Sequence, residues 1–98
     1  MNDKKIIGLL IRFGFTVSQA KLYYAGLRSG PELMARLAKT ARVRRTTAYY
    51  LMRELIRRRF FSSRKVGKRI YYTAASLDQL LKMTKEREKL VRQLIKVA

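Results

Sequence analysis

Ninety-eight residues, 48% of them apolar, suffice for one modest core and are too hydrophobic for a disordered basic tail. The chain carries 24 Lys and Arg against six acids, a formal net charge of +18, and has neither cysteine nor histidine. That composition excludes disulfides, removes the usual zinc ligand sets and the commonest acid–base and nucleophilic side chains, and leaves no expected catalytic residue, metal or cofactor.

Lys4 and Lys5 precede an apolar run from Ile6 to Ile11, but Gly8 falls inside it and Arg12 ends it. This is too short for a signal peptide or a membrane span, so the chain reads as cytoplasmic. Asp3 to Phe13 is expected to form a first helix, stopped by Gly14. Thr16 with Gln19 three residues on is a capping box, in which each side chain satisfies the other's free backbone donor. It opens a second helix to about Arg28, with Leu22, Tyr23 and Leu27 as its buried stripe and Gly26 permitting close helix approach. Gly30 suits a left-handed cap, and Pro31 cannot continue the helix.

A short third helix is expected from Leu33 to Lys39, burying Leu33, Leu37 and Ala38. After a brief connection, Ala48, Leu51, Met52 and Leu55 recur at spacings of three and four and define a helix from Arg44 to Arg58. Two helices so closely joined give a helix-turn-helix, whose second member enters the major groove of DNA. Phe60 to Lys65 and Lys68 to Thr73 then read as two strands around Val66-Gly67, with Phe60, Phe61, Ile70, Tyr71 and Tyr72 as their apolar side. In each of the pairs Tyr23-Tyr24, Phe60-Phe61 and Tyr71-Tyr72, one ring is expected in the core and its neighbour partly exposed; stacking of single-stranded bases is the rival reading. A second capping box, Ser76 with Gln79, opens a last helix to about Val97, roughly 30 Å long at 1.5 Å per residue.

Charge is concentrated between Arg42 and Arg69, where eleven Lys and Arg face one acid, Glu54. Cations this dense repel one another in a folded domain, so the simplest reading is a polyanionic partner. The basic residues are interleaved with hydroxyl and aromatic side chains at a helix start, which suits nucleic acid.

Phe13-Gly14-Phe15-Thr16-Val17-Ser18-Gln19-Ala20-Lys21-Leu22-Tyr23, Gly30-Pro31 with Leu37-Ala38, and Val43-Arg44-Arg45-Thr46-Thr47-Ala48-Tyr49 resemble the N-terminal winged-helix domain of the TrmB family of transcriptional regulators. The resemblance implies a mainly α fold with a small β-hairpin wing: a winged helix-turn-helix over 1–75 and a long C-terminal helix over 76–98. This chain departs from the family pattern in three places. Ala41-Arg42 stands where Ser-Gly is usual, Arg44 where Pro is usual, and Arg59 where a Gly usually closes the recognition helix. Members typically carry a large ligand-binding C-terminal domain, whereas this chain ends after one helix, so no small-molecule ligand is expected.

Double-stranded DNA is therefore the expected partner. On the recognition helix the candidate contacts are Arg42, Arg44, Arg45, Thr46, Thr47, Tyr49, Tyr50 and Arg53. On the wing they are Arg64, Lys65, Lys68 and Arg69, because a two-strand tip has no packing reason to gather four cations. Arg57, Arg58 and Arg59 divide between complementing the helix dipole and binding phosphate. The last helix has a first apolar cluster at Leu77, Leu80, Leu81 and Met83, expected on the domain's own first helix. A second cluster, Leu90, Val91, Leu94, Ile95 and Val97, lies far along the rod and is expected to form a homodimer. Asp78, Glu86 and Glu88 are expected to pair with Lys82, Lys85, Lys89 or Arg92 on the surface. The leading expectation is a sequence-specific regulator. Its rivals are a nucleoid protein that coats DNA with little preference, and an RNA-binding or protein-binding winged helix.

Overall fold

The computed structural model describes residues 3–98. Five helices and three short strands run in the order α1 (Asp3–Phe13), α2 (Val17–Ser29), β1 (Glu32–Leu33), α3 (Met34–Ala41), α4 (Arg45–Arg57), β2 (Phe61–Val66), β3 (Arg69–Ala74) and α5 (Leu77–Val97). Both capping boxes form. The Gln19 carboxamide accepts from the Thr16 amide at 3.0 Å while Thr16 Oγ1 accepts from the Gln19 amide at 3.2 Å. Ser76 and Gln79 repeat the exchange at the start of α5.

Three helix ends share one closure. In α1 the Phe15 amide donates to the Leu10 carbonyl and the Gly14 amide to that of Ile11. In α3 Val43 donates to Ala38 and Arg42 to Lys39, and in α4 Phe60 donates to Leu55 and Arg59 to Ile56. These nested bonds are the Schellman pattern, which turns on a residue of positive φ. That residue is Gly14 in the first closure but Arg42 (φ 57°) and Arg59 (φ 67°) in the other two. Each closure carries the chain from an outward helix end to a residue aimed inward. Phe15 and Phe60 are buried in this way and Val43 partly so.

Phe15 is the hub of the core, although its position beyond the first helix hid it from helical periodicity. Its ring stacks on Tyr23 at 5.2 Å between centroids and meets the edge of Phe60 at 4.8 Å. Tyr23 in turn meets Phe61 edge-on at 6.1 Å and donates its hydroxyl hydrogen to the Ala75 carbonyl at 2.6 Å. Burial pushes the Tyr23 hydroxyl up to about 12, because the phenolate would lose its hydration.

Several expectations require correction. Gly26 admits the hairpin rather than a helix, since a Cβ there would lie 2.7 Å from the Phe61 ring and 2.9 Å from Ala74 Cβ. Phe60 and Phe61 are both buried, so that pair has no exposed member, while Ile70 is 45% exposed. Leu27 and Leu51 are half-buried at the core margin. Leu33 precedes α3 and belongs to β1, and Met34 takes the buried place at the helix start. Gly30 has positive φ but an extended ψ of −155°, so it is not left-handed helical. β1 went unforeseen, because two residues carry no periodicity. It pairs antiparallel with β3, giving the sheet order β1-β3-β2. The hairpin pairs Phe61 with Ala74 through Val66 with Arg69, which leaves Gly67 and Lys68 as its turn. In the first cluster of α5 only Leu80 is buried and Met83 half-buried, while Leu77 and Leu81 stay 61% and 54% exposed. Of the expected surface pairs on α5, only Glu88 with Arg92, at 2.9 Å, is made among the described residues.

Candidate nucleic-acid interface

α4 presents two faces because Ala48, Met52 and Leu55 turn into the core at helical spacing. Arg44, Arg45, Thr46, Thr47, Tyr49, Tyr50 and Arg53 are all exposed, as the periodicity required. The N-terminus of α4 differs in kind from those of α2 and α5. Its N-cap is Arg44, whose side chain makes no capping bond, and its first turn contains no acid. Cations beside free amides at the positive end of a helix dipole are electrostatically unfavourable until an anion approaches. Each such cation destabilises the free helix by roughly 0.3–1 kcal/mol, and a phosphate reverses the sign of the interaction.

A groove runs between this helix start, the start of α3 and the hairpin. Arg45, Tyr49, Lys68, Arg69, Ile70 and Tyr72 line it, with Leu33, Met34 and Ala35 on the α3 side. The fold thus gathers two residues of the expected helix set with two of the wing set. β1 makes this possible by hydrogen bonding the entry of α3 to β3 opposite Tyr71 and Tyr72. Arg45 lies over the Tyr49 ring at 5.9 Å, so the aromatic face orients the guanidinium without neutralising it. Burial raises the Tyr72 hydroxyl above its ordinary pKa, with Tyr49 adding to the effect, so it stays a neutral hydrogen-bonding group.

Other expected residues stand elsewhere. Strand pairing sets Lys65 beside Ile70 but Arg64 beside Tyr71, on the opposite face of the hairpin. Arg42 borders a second groove, between α1, α2 and the end of α3, whose floor includes Ile7, Gly8 and Ile11. The three arginines that end α4 have separate surroundings. Arg57 donates to both carboxylate oxygens of Glu54, at 2.6 and 3.1 Å, and holds that carboxyl below its usual pKa. Arg58 lies over Phe60 at 5.0 Å, and Arg59 closes the helix. Sequence reading missed the α3 side of the groove and the part played by Ile70 in lining it. A two-residue strand that positions them leaves no pattern to find.

Leu90, Val91, Leu94, Ile95 and Val97 on α5 are 53–83% exposed. Among the described residues no group of three or more potential ligands is arranged to hold a metal, and no helix is long and apolar enough to cross a membrane.

The family model described as sugar-specific transcriptional regulator TrmB matches residues 9–78. No curated protein sequence matches significantly. Among solved structures, TrmBL2, described as an archaeal chromatin protein with a novel mode of DNA binding, is 22% identical with a TM-score of 0.76; the match covers 98% of this chain and 38% of that one. The transcriptional regulator PA4135 is 20% identical with a TM-score of 0.64, over 89% and 68% of the two chains. A MarR family transcriptional regulator from Silicibacter pomeroyi, SPO1453, gives 12% and 0.64, over 97% and 71%. At these identities the likeness is one of fold, a winged helix. The chain spans under two-fifths of the length of TrmBL2.

Proposed function

The chain belongs to the TrmB family of transcriptional regulators, and from that membership we propose that it binds double-stranded DNA through α4 and the hairpin wing and regulates transcription as a homodimer. The observation that carries this reading is the uncapped, cationic start of α4 sharing one groove with Lys68 and Arg69. In it, Arg44, Arg45, Thr46 and Thr47 enter the major groove, where arginine bonds guanine bidentately and threonine offers its hydroxyl or methyl. Tyr49, Tyr50 and Arg53 follow along the same helix face, and Arg42 holds phosphate beside its start. Lys65, Lys68 and Arg69 hold the flanking backbone or minor groove, and Arg64 contributes from the far side of the wing. Residues 1–75 serve as the DNA-binding unit and 76–98 as the dimerising one, through Leu90, Val91, Leu94, Ile95 and Val97. Two-fold symmetry then calls for half-sites about 10 bp or a multiple apart.

A second reading is favoured by two facts, the net charge of +18 and the fold shared with a chromatin protein. In it the protein coats DNA with little sequence preference. Affinity for random and for selected duplexes, measured across a salt series, separates the two. A specific regulator keeps a ratio of about 10³ or more at physiological salt. A coating protein loses affinity on all sequences alike as salt rises, and equal affinities overturn the first reading. Structured RNA that displaces duplex DNA at equal concentration overturns both.

A further inference from the structure

Resting on the DNA binding proposed for α4 and the wing, we infer that α5 carries a second phosphate-binding face, which holds a separate DNA duplex. Lys82, Lys85, Lys89, Arg92 and Lys96 recur at spacings of three, four, three and four. At 3.6 residues per turn they fall within an arc of about 80° and form one nearly straight stripe about 21 Å long. No other residue between Lys82 and Lys96 falls within that arc, and all five cations are exposed. Arg92 donates to Glu88 at 2.9 Å, while the four lysines make no ion pair among the described residues.

A helix that only dimerises gains nothing from this segregation. Like charges at these spacings destabilise the free helix, and alternation with acids would support it. Glu86 and Glu88 are on the same helix but stand at the two edges of the stripe, so its centre is uninterrupted. The exposed apolar block from Leu90 to Val97 is centred on the opposite side of α5, so pairing through that block leaves the stripe uncovered. Cations about 4.5–6 Å apart along a line suit the backbone of a duplex, which carries one charge per ~3.4 Å of axis on each strand. Anionic lipid also takes basic amphipathic helices, but α5 has no aromatic residue to anchor it among headgroups.

The position of the stripe sets it apart from the α4 site. Leu80 and Met83 seat the root of α5 on the core, and the stripe lies on the far side of the helix from them. Gln79 shares a groove with Ile56 and Arg59 at the end of α4. The start of α4, at Arg44, lies about 18 Å back from Ile56 along that helix. Bending one duplex around a molecule 48 Å long to reach both surfaces is opposed by its stiffness, which persists over ~150 bp. The stripe and the α4 groove therefore hold different duplexes, and the protein bridges them.

A short duplex fixed on beads should retain a second, dye-labelled duplex when the full chain is added, and failure to retain it overturns the inference. Replacing Lys82, Lys85, Lys89, Arg92 and Lys96 together by Gln should cut that retention about tenfold or more. The same variant should keep the solution mass of the unmodified chain and hold its affinity for a single short duplex within about twofold. Its melting midpoint should not fall, because the change removes like-charged neighbours and one exposed ion pair. Undiminished retention assigns the bridging to two α4 sites of a dimer and overturns the inference; combined with lost binding to phosphatidylserine vesicles, it assigns the stripe to lipid. An affinity for the single duplex that falls in step with retention also overturns it, since the stripe then serves the duplex already on α4. Absence of any binding of the unmodified chain to a single duplex at low salt defeats the DNA-binding reading itself, and is measured without beads or variants.

Discussion

Arg42 and Arg59 hold a backbone conformation that suits glycine, and both do so at the hinge of a helix closure. An L-residue in the left-handed region costs roughly 1–2 kcal/mol, part of which glycine would give back through its freedom in the unfolded chain. Arg42→Gly and Arg59→Gly should each stabilise the fold by about 0.5–1 kcal/mol in urea titration, and Arg42→Gly should weaken DNA binding at low salt. A loss of stability in both would show that these arginines are not strained. Tyr23 has the opposite character, since its ring and hydroxyl are both satisfied inside the core. Its hydroxyl titrates near 12 in the folded chain against an ordinary 10.0. A raised acid group favours folding below its unfolded pKa, and that contribution is lost as pH climbs from 10 through 12. Tyr23→Phe should cost about 1 kcal/mol at neutral pH from the lost hydrogen bond. Thermal melts should show the variant losing less stability than the parent between pH 10 and 12.

At the scale of the element, the hairpin does two tasks with opposite ends. Its base fills the core with Phe61 and Tyr72, and the base is held against α2 where Gly26 leaves room for the Phe61 ring. Gly26→Ala should destabilise the fold by about 1–3 kcal/mol, because a strand and an aromatic ring must both shift to admit one methyl group. Its tip is exposed from Ser62 to Ile70 and has no comparable packing role. Replacing Arg64, Lys65, Lys68 and Arg69 together by Gln should leave the melting midpoint nearly unchanged. The slope of log affinity against log salt should fall by about 0.9 for each phosphate contact removed. A slope that does not move would take the wing out of the interface.

For the whole molecule the governing quantity is charge placed on a fold with little mass to dilute it. A net +18 on 98 residues is self-repelling in the free state, and the phosphates of the proposed DNA partner would relieve that repulsion. The domain sits at one end of a molecule 48 Å in its longest dimension, and α5 leaves it after Met83 with an apolar flank uncovered. Removing residues 90–98 should halve the mass in solution and abolish cooperative binding to paired half-sites, while binding to a single half-site persists. Unchanged mass after that truncation would take the distal cluster out of the dimer.

How much of this was legible in the sequence depended on the range of the interaction responsible. The helices were readable because their causes are local: Thr16 with Gln19, Ser76 with Gln79, and the three-four spacing of Ala48, Met52 and Leu55 act within one or two turns. The density of arginine and lysine from Arg42 to Arg69, and with it the expectation of a polyanion, needed no coordinates. Tertiary structure alone decided which of those cations share a groove. Arg45 and Lys68 are 23 positions apart, and a two-residue strand with no pattern of its own holds α3 beside the wing that carries Lys68. Phe15 became the hub of the core for the same reason, since its partners Tyr23 and Phe60 reach it from two other segments of the chain. Resemblance to the TrmB pattern marked Arg42 and Arg59 as standing where turn residues are usual. Only the folded backbone showed that the turns kept their positive φ and took the strain, because φ is fixed by the closures around it and not by the side chain it bears.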